Sequence, residues 1–64
     1  MKDYRVYHWD TFDNETFLLS EFDTEQEAEA FIEQRYKGRL SSSGADRVDV
    51  VDKLGNVIQS HSVG

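Results

Sequence analysis

Sixty-four residues are enough for one domain, yet a chain this short hides only about 60% of its unfolded surface on folding. With no cysteine, neither a disulfide nor a thiolate zinc site can supplement so small a core, so stability must come from packing or from a partner. Thirteen acidic side chains against seven basic ones leave a formal charge of −6, which repels phosphate backbones, argues against ordinary nucleic-acid binding and permits a basic partner.

Taken in order, Tyr4 to Trp9 is rich in aromatic and β-branched residues and reads as a first strand. Asp13-Asn14 supplies turn chemistry, since both side chains can bond nearby amides, and Thr16 to Phe22 returns as the second strand of a hairpin. A helix follows. Thr24 and Glu27 form a capping box, and Ala28, Phe31, Ile32, Arg35 and Tyr36 fall on one helical face. Gly38 suits the left-handed position that closes the helix. Glu25, Glu27, Glu29 and Glu33 precede Arg35 and Lys37, the order that the helix dipole favours. Ser41-Ser42-Ser43-Gly44 reads as the core of a mobile loop, and Arg47 to Val51 as a third strand. Asp52-Lys53-Leu54-Gly55 is a turn with Gly55 left-handed, and Val57 to Ser62 is the fourth strand.

The order ββαββ predicts an α+β fold over residues 1–64, a two-layer sandwich with one helix packed on a mainly antiparallel four-stranded sheet. Strand order is left open, except that the first strand is expected inside because both of its faces carry large apolar groups. No leader-like segment and no membrane-spanning apolar run is seen, so the expected location is cytoplasmic.

From Phe22 onward, Thr24, Glu27 and Ala28 begin the helix, Gly55-Asn56-Val57-Ile58 forms a turn and strand, and Ser62-Val63-Gly64 ends the chain. In these residues the chain resembles an uncharacterised family of small bacterial domains, although the terminal motif departs in spacing. The resemblance covers about two thirds of the chain, rests on structural motifs, and implies a similar sheet-and-helix fold with no catalytic residue.

Alternation divides each strand between two faces. Tyr4 and Val6 oppose Tyr7 and Trp9, while Phe17 and Leu19 oppose Leu18 and Phe22. Val48 and Val50 oppose Val51, and Val57 opposes Ile58. Every strand therefore offers apolar groups to both sides, whereas one helix covers one side, and a half-solvated sheet should alternate cleanly. The expectation is a binding or assembly module that self-associates as a homodimer, or meets a protein partner, through a sheet face bearing Arg5, Tyr7, Trp9, Leu18 and Val51. The bland alternative is a face of cross-strand pairs that only stabilise the hairpin.

The other constellations carry less. Glu25, Glu29 and Glu33 at i, i+4 spacing would make an acidic docking face, though a solvated surface with Glu33 paired to Lys37 explains them. Asp10, Asp13 and Glu15 share a hairpin loop but lack calcium-loop spacing, and His8 with His61 would supply too few ligands for a metal. No metal, cofactor or small-molecule substrate is therefore expected. Ser60, His61 and Asp52 make a catalytic trio only on paper, so no enzyme is expected. The rival class is a nucleic-acid-related module. Arg5, Tyr7, Trp9 and Arg47 would stack single-stranded bases if they share a face, offset by Asp3 and Asp49, or the acidic surface would imitate phosphates.

Overall fold

In the computed structural model, which describes residues 2–40 and 44–64, the first apolar alternation becomes β1, Tyr4–Asp10. It pairs antiparallel with β2, Glu15–Phe22. The turn between them is held by Asp10, whose Oδ1 accepts from the amides of Phe12 at 3.0 Å and Asp13 at 3.3 Å. Asn14 takes the left-handed backbone (φ 55°). The turn chemistry thus belongs to Asp10 and Asn14 rather than to Asp13-Asn14. Asp10 stands far enough back to reach two amides that the tight turn leaves unpaired.

The helix α1 spans Glu25–Arg35. Thr24 Oγ1 accepts from the Glu27 amide at 3.2 Å and donates to Glu27 Oε1 at 3.1 Å. One hydroxyl has a proton and two lone pairs, so it serves both groups, and the carboxylate bonds it instead of the cap amide. The helix stops at Tyr36, and Gly38 (φ 77°) lies two residues past that cap, where Arg39 N donates to Tyr36 O at 2.8 Å. The expected serine loop at Ser41-Ser42-Ser43 lies outside the described residues. Gly44 does not: its missing side chain lets the chain lie directly on the backbone of Val63, where a Cβ has no room.

The second hairpin joins β3, Asp46–Val51, to β4, Val57–Val63, through a turn in which Gly55 is left-handed (φ 87°). Asp52 Oδ1 accepts from the amides of Leu54 and Asn56, both at 2.9 Å. The sheet order is β2-β1-β3-β4, all neighbours antiparallel, so β1 is interior as its two apolar faces require. The β4 edge is partly covered, by a bridge from Leu40 to Val63 and by Gly64 N donating to Arg39 O at 3.0 Å.

Register sets the faces. Val6 stands between Ser20 and Val50, His8 between Phe17 and Val48, and Tyr4 opposite Phe22. This side meets the helix. Val6, Ala28, Ile32, Tyr36, Val48, Val50 and Val63 are buried together, with Tyr4, Leu19, Phe22 and Phe31 packed against them. Arg35, counted in the helical stripe, is exposed.

A bulge changes one expectation. The β1–β2 register shifts between Val6 and Tyr7, leaving Leu19 as the extra residue. An extra residue inverts the parity of all that follow. Phe22 therefore joins Tyr4 under the helix, where its ring lies 5.2 Å from that of Phe31, while Leu18 pairs with Tyr7 on the opposite face. The expected grouping of Leu18 with Phe22 does not hold. A second shift, at Val50/Val51, leaves Ile58 between Val57 and Gln59 on β4.

Candidate functional site: the open sheet face

The face turned away from α1 is built by residues in register across the four strands. Across β2, β1, β3 and β4, one row runs Leu18, Tyr7, Asp49, Ser60. Its neighbour runs Thr16, Trp9, Arg47, Ser62, and on the other side lie Glu21, Arg5, Val51 and Val57. Arg5, Tyr7, Trp9, Leu18 and Val51 thus occupy one surface, with Arg47 and Asp49 among them. Leu18 is 51% and Val57 57% exposed, and Tyr7 and Trp9 are half-buried. Large apolar groups lie uncovered at both edges of this surface.

Polar contacts anchor it. Trp9 Nε1 donates to Asn14 Oδ1 at 3.4 Å, fixing the indole over the hairpin end. Arg5 Nε lies 3.5 Å from Glu21 Oε1, and Arg47 Nη2 donates to Ser60 Oγ at 2.6 Å. Charge on the face is balanced, Arg5 and Arg47 against Glu21 and Asp49, so the net −6 of the chain resides elsewhere. Asp49 is the exception to good pairing. Its Oδ1 is sealed from solvent and accepts no hydrogen bond from any described residue. A buried acceptor without a donor costs roughly 1–3 kcal/mol.

On the helix side, the fold assembles a group that pattern reading passed over. His8 Nδ1 and the Tyr36 hydroxyl are 2.6 Å apart, and His8 Nε2 lies 3.2 Å from Asp46 Oδ2. Asp46 Oδ1 accepts from Thr11 N at 3.4 Å, and the Thr11 hydroxyl, which donates to Ala45 O at 2.8 Å, also lies 3.4 Å from Asp46 Oδ1. The guanidinium carbons of Arg35 and Arg39 lie 5.8 and 5.6 Å from the Tyr36 ring centre. This network ties the helix end to β1 and β3. Helical spacing placed Tyr36 on the core side, but its pairing with His8, 28 residues away, depended on the strand order.

The His8 imidazole bonded to Asp46, with Thr11 adding to it, holds the Asp46 carboxyl below its usual range. The amides of Asn56 and Leu54 do the same for Asp52. A carboxyl whose folded pKa is depressed adds stability above its unfolded value, and that stability is lost as pH falls through the folded value. The contribution of these two carboxylates to the unfolding free energy should therefore be complete above the ordinary aspartate value of about 4 and fall away as pH drops below it. Asp46→Asn and Asp52→Asn should each flatten that fall in urea titrations run at stepped pH. An unchanged slope in both variants would remove these carboxylates as its source.

The remaining sequence candidates are dispersed. Glu29 and Glu33 are exposed on α1, whereas Glu25 accepts a hydrogen bond from Gln59 Nε2, and Gln59 Oε1 lies 3.1 Å from His61 Nε2. No ion pair joins Glu33 to Lys37, since the helix ends before Lys37 and the i, i+4 geometry ends with it. His8 and His61 are separated by β3, each opposite Val48. Ser60 and His61 point to opposite faces, and Asp52 lies in the turn at the strand end, so the trio does not assemble. No group of three His, Cys, Asp or Glu able to hold a metal occurs among the described residues. Asp3 precedes β1 and lines, with Tyr4, Asp52, Lys53 and Leu54, a shallow pocket of about 160 Å³, below the volumes usual for ligand sites. No helix among the described residues is long and apolar enough to cross a membrane.

Comparison of the chain with protein-family models, with curated proteins and with solved structures finds no match.

Proposed function

We propose that this chain is an assembly module, a two-layer ββαββ unit that forms a homodimer by packing its open sheet face against a second copy. The observation that carries this reading is the concentration of Tyr7, Trp9, Leu18, Val51 and Val57 on the one face that α1 leaves bare. Exposed apolar patches of this kind on small domains mark contact surfaces, and Trp and Tyr are the side chains that dominate them.

Size and charge support the same reading. The two longer extents of the chain, 30 and 23 Å, bound a rectangle of roughly 700 Å², so a contact spanning nearly all of a face this broad would approach the ~800 Å² per partner of a standard interface. Two molecules of charge −6 repel, but this face is locally neutral and the acidic helix lies on the far side of the sheet. Face-to-face packing at about 10 Å therefore keeps the two acidic layers outermost.

The rival reading, a single-strand binder, is favoured by the approach of Arg5 and Arg47 to Tyr7 and Trp9. Glu21 and Asp49 cancel that basic charge on the same surface, which weakens the case. The test is the solution mass measured by sedimentation over a wide concentration range, at low and high salt. The expected mass rises from 7.4 kDa toward twice that value, with little dependence on salt. A mass that stays at the monomer value at the highest concentration overturns the proposal. Salt-sensitive binding of oligonucleotides would favour the rival.

A further inference from the structure

We infer that the two copies are held in one register by reciprocal ion pairs between Arg47 of each chain and Asp49 of the other. This rests on the proposed face-to-face dimer and deepens it. The starting point is the carboxylate at the middle of the face, between Tyr7 on β1 and Ser60 on β4, whose Oδ1 has no donor among the described residues. The basic group two residues away on the same strand does not satisfy it, because the Arg47 guanidinium donates across to Ser60. The Asp49 residue as a whole is only half-buried, so its carboxylate still borders the open side although Oδ1 is sealed. A donor arriving from the open side can therefore engage the carboxylate.

Symmetry identifies that donor. In a two-fold dimer with sheets face to face, the axis lies in the interface plane. If it crosses β1 and β3 over the row of His8 and Val48, each strand of one sheet lies antiparallel above its own counterpart. Residues one place either side of that row are then exchanged. Arg47 of one copy stands over Asp49 of the other, and Trp9 stands over Tyr7 of the other. One axis thus supplies two opposite-charge pairs and two aromatic pairs. Shifting it by one side-chain repeat, onto the row of Val6 and Val50, sets Asp49 against Val51 and forfeits the charge match. Aligned sheets cross at about 30°, an offset that matters least at the central strands carrying these residues. A guanidinium also offers the fork of donors that a carboxylate accepts in bidentate fashion.

Charge exchange between two variants tests this. Asp49→Arg alone sets arginine against arginine across the interface, and Arg47→Asp alone sets aspartate against aspartate. Mixed together, they restore an opposite pair at both symmetry-related places. The expected result is that each variant alone dimerises at least about tenfold more weakly than the parent, and that the mixture recovers a heterodimer visible by native mass spectrometry. Circular dichroism reports whether each variant folds. Should Asp49→Arg unfold, Arg47→Ala at an exposed position carries the test, with the same loss expected and an unchanged dissociation constant overturning the inference. A parent dimer whose variants dimerise undiminished, or whose mixture gives no heterodimer, overturns the register and leaves the dimer standing. A monomeric parent removes both.

Discussion

Replacing Ile32 by alanine is expected to cost about 2–5 kcal/mol of stability, enough to unfold a large share of the molecules at ambient temperature. Ile32 is 1% exposed and lies in the cluster with Val6, Val48, Val50 and Val63 that joins the helix to the sheet. A domain of this length has about 3–10 kcal/mol in total, so one such cavity removes much of it. The helix is the element that covers this side of the sheet, and Ala28 and Ile32 are its buried positions. Little neighbouring structure can therefore collapse into the space left behind. Urea denaturation at fixed protein concentration measures the effect, since dimerisation would otherwise add a concentration-dependent term. Phe12→Ala is the contrasting variant. Phe12 is 94% exposed at the hairpin tip, and its loss should change stability by no more than about 0.5 kcal/mol. A small loss at Ile32, comparable with that at Phe12, would mean the helix is not what closes the core.

Trp9→Ala is expected to leave the fold in place and weaken self-association by about 30-fold, which corresponds to roughly 2 kcal/mol at an aromatic hot spot. The indole stands on the open face beside Arg47, its Nε1 donating to Asn14 Oδ1 at 3.4 Å, and it takes no part in the buried cluster. Its removal therefore acts on the contact surface more than on the core. Ala30→Ser, on the exposed side of α1, should leave association unchanged and serves as the control. Sedimentation of the parent and both variants at matched concentrations reads the difference directly. Equal dissociation constants for the parent and Trp9→Ala would shift the role of this face from assembly to hairpin support.

Much of the fold is written locally. Thr24 and Glu27 start the helix, the Ala28, Ile32 and Tyr36 spacing chooses its buried face, and Gly55 marks the second hairpin turn. These features need only neighbours within a turn or two, so propensity and periodicity reveal them. The two apolar faces of β1 also foretold its interior place in the sheet. The candidate face was legible for the same reason, because Arg5, Tyr7 and Trp9 share a parity that pairing with β2 and β3 carries across the sheet.

What the chain alone left undecided required long-range pairing. Leu18 and Phe22 have the same parity, yet the bulge at Leu19 sends them to opposite sides, because whether a strand absorbs an extra residue depends on the partner it must match. The Tyr36, His8 and Asp46 network and the stranded oxygen of Asp49 arise only once β3 lies between β1 and β4. Alternation and capping are properties of short stretches and survive in the sequence. Strand order and bulges are settled by which arrangement buries Val6, Val48 and Val50 beneath one helix, a choice made by the assembled chain as a whole.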